Sequence, residues 1–397
     1  MEQSETNNYD DEFIKKIEKE TIPQNDFLEK SLISEIKQTI NRLEQKCEGK
    51  MGPSVVEDRC RQLSYASILV DVYKKPISLL VEPSAKLGEA YYDIKYYEQA
   101  KEHLLNALTY NNDPSNTETE ILSKDYWLRL TIKLSKCHLE TELYEDGLKL
   151  AERTLLENRN LYGENDITEA EIYEIMYQCE KKLENYLKAI EYLKILSNLY
   201  EKMYSNVSDQ CAFIYNEIGD IYKLINQFPE AIENFIKCYQ IREELVKENN
   251  RIEDLFDISI KLGELYSNQK EFQKAYEILK KTDDDYNNGY NRSLKDRVIF
   301  QRFICTVSSF LEDNSIYLNE LLKLEEILKD CTENKKTLAK TYLQIGHLYK
   351  KRKELEKSLE YFKKAREIFE KHNDFKLITD VQKVIEKVTD ELEEMQK

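Results

Sequence analysis

The feature that most constrains the fold is a spacing of small and aromatic residues that recurs along the chain. In its clearest copies, a glycine is followed by a tyrosine three positions later and by a second small residue twelve positions later. Four copies of the spacing are Gly88-Tyr91-Ala100, Gly219-Tyr222-Ala231, Gly263-Tyr266-Ala275 and Gly346-Tyr349-Ser358. Two small residues twelve positions apart allow the backbones of an antiparallel helix pair to approach closely, and the aromatic side chain fills the space around that contact. The spacing therefore predicts a repeated pair of helices.

Weaker copies define the period of the repeat. Ser135, His138 and Gly147 keep the offsets with other side chains, and a further copy at Tyr177 lacks the small first residue. The first positions of successive copies, at 88, 135, 177, 219 and 263, are separated by 47, 42, 42 and 44 residues. The step from 263 to 346 is close to twice this period, so we expect one degenerate unit at Arg297–Leu328.

The order of these residues resembles the tetratricopeptide repeat (TPR), whose usual length is about 34 residues. The stretches LGEAYYDIKYYEQAKEHLLNAL (87–108) and IGDIYKLINQFPEAIENFIKCY (218–239) match the TPR pattern at nearly every anchor. HEAT and armadillo repeats have periods of about 40–47 residues, but the residue identities favour TPR. The extended period is similar to that of the kinesin light chain family. The resemblance covers roughly residues 83–370 and implies an all-α, right-handed superhelical solenoid of about seven helix pairs.

Breaks in the pattern predict the organisation of the chain. We expect a disordered acidic N-terminus at 1–25, N-terminal capping helices at 26–82, the TPR solenoid at 83–372 and a C-terminal capping helix at 373–397. The capping helices would shield the apolar ends of the solenoid. The longest internal break is expected at Thr282–Asn291, as a flexion point between two halves.

Composition excludes several classes of protein. The net charge of -17 argues against nucleic acid as the main partner. There is no apolar run of about 18 residues, so we expect no transmembrane helix and no membrane partner. The N-terminus lacks the apolar core of a signal peptide, which indicates a cytoplasmic protein. The eight cysteines contain no CxxC pair and are expected to be reduced and mostly buried.

The sequence offers little for catalysis. Its four histidines are far apart, and GxSxG, Walker A, HExxH and GxGxxG motifs are absent. We therefore predict that the chain is not an enzyme and has no catalytic residues, no cofactor, no metal site and no small-molecule substrate.

The first helix of each repeat is expected to line a concave protein-binding face. The residue after each small anchor should point into it, and one turn earlier only Asn216 resembles the Lys and Asn clamp that chaperone-binding TPR proteins use for a terminal carboxylate. The candidate partner-binding residues are Glu89, Lys136, Asn216, Asp220, Glu264 and His347. Two interpretations remain open: an acidic groove for a basic partner, or ordinary solvated helix charge.

The extended repeat and the missing clamp resemble ciliary and axonemal TPR scaffolds, most closely at Pro83–Ala107. This resemblance implies a non-catalytic scaffold or adaptor that binds peptide segments or helices of other proteins in a cilium, an axoneme or another microtubule-based complex. One alternative is a peptide-sensing TPR regulator that sequesters a signalling protein. A second alternative is a co-chaperone, which the groove residues disfavour.

Overall fold

The structure is a computed structural model that describes residues 26–115, 121–164, 166–249, 252–287, 293–329, 331 and 334–396. The predicted disordered segment at 1–25 lies outside the described residues. Within the described ranges the chain is helical and contains no strand, so the prediction of an all-α fold is confirmed.

Seventeen α-helices account for the described part of the chain. The first are α1 (Asp26–Cys47) and α2 (Pro53–Asp71), followed by a 3-10 helix at Ile77–Leu80. The next fourteen helices are α3 (Val81–Asp93), α4 (Tyr97–Asn111), α5 (Lys124–Glu140), α6 (Tyr144–Tyr162), α7 (Ile167–Lys182), α8 (Tyr186–Met203), α9 (Asp209–Leu224), α10 (Phe228–Asn249), α11 (Ile252–Asn268), α12 (Phe272–Asn287), α13 (Leu294–Ser308), α14 (Asn314–Lys329), α15 (Lys335–Lys351) and α16 (Leu355–Lys371). They form seven pairs, as predicted, and α13–α14 is the degenerate unit. The last helix is α17 (Phe375–Gln396).

The small anchor residues bring the two helices of a pair together. In α15–α16 the Ser358 hydroxyl donates a hydrogen bond to the carbonyl oxygen of Gly346 at 2.8 Å, twelve positions away. The anchor also makes room for a large side chain from the second helix, because a methyl group on Gly219 would lie 2.5 Å from the ring of Phe235. Phe235 is fully buried, so this close approach requires glycine.

Six of the seven pairs share one turn. The seventh residue after each anchor has φ between 59° and 63° in the left-handed region, and these residues are Lys95, Glu142, Glu184, Asn226, Lys270 and Lys353. In α9–α10, the N–H of Gln227 donates to the carbonyl of Tyr222 at 2.9 Å, and the N–H of Asn226 donates to that of Lys223 at 3.1 Å. This pattern is the Schellman motif, which satisfies the last carbonyls of the first helix. The α13–α14 turn differs, because none of its residues 309–313 has a positive φ.

The N-terminal helices pack on the first pair. Cys47, Val55 and Val56 from α1 and α2 share an apolar cluster with Leu87 and Ala90 of α3.

A carboxylate links the same three helices. Glu44 of α1 accepts hydrogen bonds from Arg59 and Gln62 of α2 and, at 2.7 Å, from Lys86 of α3. Burial alone would raise the pKa of Glu44, but the hydrogen bonds from Arg59, Lys86 and Gln62 outweigh it and lower the pKa to about 2. The charged form of Glu44 therefore stabilises the junction of the three helices.

The chain divides into two compact units, Met1–Leu199 and Tyr200–Lys397. The expected break at Thr282–Asn291 is wrong for its first part, because α12 continues through Asn287; residues 288–292 lie outside the described range. The reason is that Thr282 is buried and hydrogen-bonded within the helical core. Its hydroxyl lies 3.0 Å from the carbonyl of Ile278 and 3.1 Å from the hydroxyl of Tyr239.

The last helix covers the final pair. Val381, Ile385 and Val388 of α17 join the apolar cluster that contains Phe362 and Phe369 of α16. In the part of the chain that the structure describes, no helix is long and apolar enough to cross a lipid bilayer.

Candidate protein-binding surface

The six candidate residues all lie on first helices of their pairs. Glu89 is on α3, Lys136 on α5, Glu264 on α11 and His347 on α15, while α9 carries Asn216 and Asp220. None is fully buried, so each side chain retains contact with solvent. In each of the two units, we define the surface on which they lie as the first-helix face.

In the unit Met1–Leu199, the charged candidates are paired with the next first helix along the chain. The Glu89 carboxylate accepts from Lys133 of α5 at 2.8 Å and from the hydroxyl of Tyr126 at 3.0 Å. Lys136 of α5 pairs with Glu171 of α7. Each pair therefore joins first helices of successive repeats.

The same arrangement occurs in the unit Tyr200–Lys397. Lys261 of α11 donates to Asp220 at 2.6 Å and to the side-chain oxygen of Asn216 at 2.8 Å. Lys223 of α9 donates to Glu264 of α11 at 3.3 Å. The structure thus joins Asn216 and Asp220 through Lys261, and it gives Glu264 a separate lysine partner. These contacts, with those of the other unit, are termed the inter-repeat ion pairs.

The inter-repeat ion pairs change the expected electrostatics of the first-helix face. The sequence indicates acidic positions at Glu89, Asp220 and Glu264, whereas the structure places a lysine from a neighbouring repeat on each carboxylate. A uniformly acidic groove is therefore absent at these three positions. The pairs are partly exposed, and pairs of this kind typically contribute about 0–1 kcal/mol. Two of the pairs share one register, since Glu89 and Asp220 follow their anchors by one residue, and Lys133 and Lys261 precede the next anchors by two.

His347 is separate from the inter-repeat ion pairs. Its ring packs edge-on against Phe362 of α16, with the ring centroids 4.9 Å apart. His347 belongs instead to the exposed side of α15, beside Lys340 and Gln344.

Two other histidines have packing roles. His103 of α4 is stacked on Tyr91 of α3, with ring centroids 5.5 Å apart and 6° between the planes. His138 packs against Gly147. A methyl group on Gly147 would lie 3.1 Å from the Cβ of His138, so the glycine leaves room for the histidine side chain. Burial lowers the pKa of both imidazoles, which favours their neutral form at pH 7.

Three cysteines of the described residues are deeply buried, which bears on metal binding and thiol chemistry. Across the described ranges, no three His, Cys, Asp or Glu residues are placed to hold a metal ion together. Burial raises the pKa of Cys137, Cys179 and Cys238 to about 12, so these thiols are protonated at neutral pH. Thiols in such surroundings behave as small apolar side chains.

A cleft of about 500 Å³ lies between the N-terminal helices and the first repeat. Its lining includes Ile40 of α1, Leu69 of α2, Leu79 and Pro83, with Tyr126 of α5 at one side. The sequence analysis did not identify this cleft, because it depends on how α1 and α2 pack on α3.

The family comparison agrees with the repeat geometry. The model of the tetratricopeptide repeat matches residues 84–114, 214–245 and 339–372, which correspond to the pairs α3–α4, α9–α10 and α15–α16. The chain therefore contains tetratricopeptide repeats, a type of repeat that serves as a scaffold for protein interactions.

Several solved structures also resemble part of the chain. BtubC (BKLC) from P. vanneervenii is 19% identical with a TM-score of 0.43, over 60% of this chain and 92% of that one. A putative kinesin light chain repeat protein from Podospora anserina is 14% identical with a TM-score of 0.41, over 52% and 97%. The C-terminal part of a TPR protein from Cytophaga hutchinsonii is 15% identical with a TM-score of 0.47, over 71% and 93%. No curated protein matches the chain significantly in sequence.

Proposed function

We propose that the chain is a non-catalytic protein-interaction scaffold that binds segments or helices of other proteins through the first-helix face. The observation that carries this proposal is that the residue directly after the anchor is accessible to solvent on each of α3, α5, α9, α11 and α15. These residues are Glu89, Lys136, Asp220, Glu264 and His347, and four of them are charged. Within each unit, successive first helices of this kind offer an extended surface rather than an enclosed pocket. An extended surface suits a protein segment better than a small molecule, since small-molecule sites are concave and mostly apolar.

The proposed cellular setting is a cilium, an axoneme or another microtubule-based complex in the cytoplasm. This setting is supported by the resemblance of Pro83–Ala107 to ciliary TPR proteins and by the extended repeat period. The net charge of -17 is consistent with a protein partner and unfavourable for nucleic acid.

The test is affinity capture with the full chain from its native source, followed by mass spectrometry. Recovery of tubulin, dynein or radial-spoke proteins supports the proposed setting. Recovery of a kinase with its response regulator assigns the chain to the peptide-sensing regulators, and recovery of Hsp70 or Hsp90 assigns it to the co-chaperones.

A pair of matched variants locates the binding face. Asp220→Lys places a second cation beside Lys261, whereas Asp220→Lys with Lys261→Asp restores an ion pair of inverted polarity. If the face binds the partner by charge, both variants lower capture while the double variant keeps the thermal stability of the wild type. Undiminished capture by both variants would contradict binding at this part of the face.

A further inference from the structure

The exposed side of α15 is basic. The helix KKTLAKTYLQIGHLYKK contains five lysines and no acidic residue. Lys336, Lys340 and His347 are exposed along one side, and the half-buried Leu343 lies between them in the helical register. This side of α15 therefore combines cations with an aliphatic side chain.

The neighbouring first helix, α13, has a matching exposed side. Four of its buried positions recur with the same spacing on α15: Val298, Ile304, Cys305 and Val307 correspond to Ala339, Ile345, Gly346 and Leu348. In this alignment Arg302 corresponds to Leu343 and Thr306 to His347. The exposed side of α13 therefore belongs to the first-helix face. It carries Lys295, Arg302 and Ile299, whose side chain is 50% exposed.

These cations differ from the lysines of the regular repeats. Lys133 and Lys261 each have a carboxylate on an adjacent first helix. Among the described residues, Lys295, Arg302, Lys336 and Lys340 have no ion-pair partner. The two helices thus leave a group of uncompensated cations on a chain whose net charge is -17.

We define the basic face as Lys295, Ile299, Arg302, Lys336, Lys340 and Leu343. We propose that the basic face binds an acidic segment of another protein that also carries aliphatic or aromatic side chains. The proposal rests on the scaffold function and names the partner chemistry for one part of it. Charge complementarity selects an acidic segment, and the exposed Ile299 with the half-buried Leu343 selects apolar side chains within it. A long polyanion such as nucleic acid is disfavoured, because the acidic remainder of the chain repels it.

Three short fluorescein-labelled peptides test this chemistry against the full chain by fluorescence anisotropy. The first contains Glu and Asp with Leu and Phe, the second replaces Leu and Phe by Ser, and the third replaces Glu and Asp by Lys. The first peptide is expected to bind about tenfold more tightly than either of the others, a difference of ~1.4 kcal/mol. Its binding is expected to weaken with added salt, since exposed charges are screened over about 8 Å at physiological ionic strength.

Charge reversals locate the binding. Arg302→Glu with Lys340→Glu is expected to weaken binding of the first peptide by about tenfold or more, ~1.4 kcal/mol. The matched control is Lys363→Glu with Lys376→Glu, which makes the same charge change at exposed positions of α16 and α17. The control is expected to change the affinity by about twofold or less, because exposed charges away from the contact have small effects.

Several results would overturn the proposal. Equal loss in the control variant would show non-specific attraction, and failure of the first peptide to bind would show that the face does not recognise this chemistry. Self-association of the wild type that disappears in Arg302→Glu with Lys340→Glu would assign the face to a second copy of the chain. If the double variant captures the native partner as well as the wild type does, the basic face is not the binding site for that partner. The proposed scaffold function would not be affected by this result.

Discussion

Two helix pairs in the unit Tyr200–Lys397 have the same arrangement of helices but are held together by different contacts. In α9–α10, Gly219 accommodates the buried ring of Phe235, and the turn passes through Asn226 in the left-handed region. In α13–α14, Cys305 occupies the position of the anchor glycine, and Glu312, the turn residue that corresponds to Asn226, has no positive φ. The regular pair is held by the fit of apolar shapes, and its rules can be read from residue spacing.

The degenerate pair is held partly by a buried polar network. Gln301 of α13 donates to the carboxylate of Glu320 on α14 at 2.9 Å and to its backbone carbonyl at 3.0 Å. The hydroxyl of Tyr276 on α12 donates to the same carboxylate at 2.9 Å, and Lys280 and Lys323 lie within 3.8 Å and 3.6 Å of it. Glu320 is 2% exposed, so its charge depends on these partners. The comparison indicates that a pair without the repeat spacing is more sensitive to loss of a single polar side chain.

The largest expected effect is loss of that network. Glu320→Ala leaves Gln301 and Tyr276 without their acceptor and is expected to lower the free energy of unfolding by about 3 kcal/mol. Glu320→Gln keeps the shape and one acceptor and should lose less. Urea unfolding followed by circular dichroism measures both. If Glu320→Ala costs no more than alanine at the exposed Glu277, the proposed difference between the two pairs does not exist.

Overpacking tests the regular pair. Gly219→Ala places a methyl group 2.5 Å from the ring of Phe235 and is expected to cost about 1–3 kcal/mol of unfolding free energy. At the corresponding position of the degenerate pair, Cys305→Ala removes only a sulfur atom and should cost about 1 kcal/mol. Thermal unfolding of the two variants shows which substitution lowers stability more. A harmless Gly219→Ala would show that the anchor does not need glycine.

The pH dependence of stability tests a carboxyl group next to the polar network of the degenerate pair, because Asp283 of α12 lies 3.8 Å from Lys323 of α14. Burial raises the pKa of Asp283 on α12 above its ordinary value, despite the nearby Lys280 and Lys323. Ionisation of this carboxyl therefore costs stability in the folded chain, and the cost is relieved as the pH falls through the raised pKa toward 3.8. The stability difference between the wild type and Asp283→Asn should shift in favour of the wild type over that interval. A difference that is independent of pH would show that Asp283 titrates normally.

The smallest expected effect concerns the turns. Lys270 has φ 63°, which costs a residue with a side chain about 1 kcal/mol, so Lys270→Gly is expected to raise the unfolding free energy by roughly 0.5–1 kcal/mol. Glu312, the corresponding residue of the degenerate pair, has no positive φ, so Glu312→Gly relieves no strain and should lower the unfolding free energy slightly. Equal responses at the two turns would contradict the structural difference between them.

The sequence predicts the contacts within a regular helix pair, but it does not predict the polar contacts between pairs. The Gly, Tyr and Ala spacing predicts seven pairs because it reflects contacts within one pair, and the gap before Gly346 locates the degenerate unit. The inter-repeat contact of Asp220 with Lys261 is not predicted, because it depends on how successive first helices lie beside each other. The polar run after Thr282 suggests a break, yet Thr282 is buried and hydrogen-bonded, so α12 continues past it.

The most direct test of the central claim is chemical labelling of lysines in the full chain, with and without its captured partner. The first-helix face predicts that Lys336 and Lys340 of α15 lose reactivity when the partner binds. Lys237 of α10 and Lys363 of α16, on second helices, should keep theirs. Protection confined to the second helices, with Lys336 and Lys340 unchanged, would contradict the account.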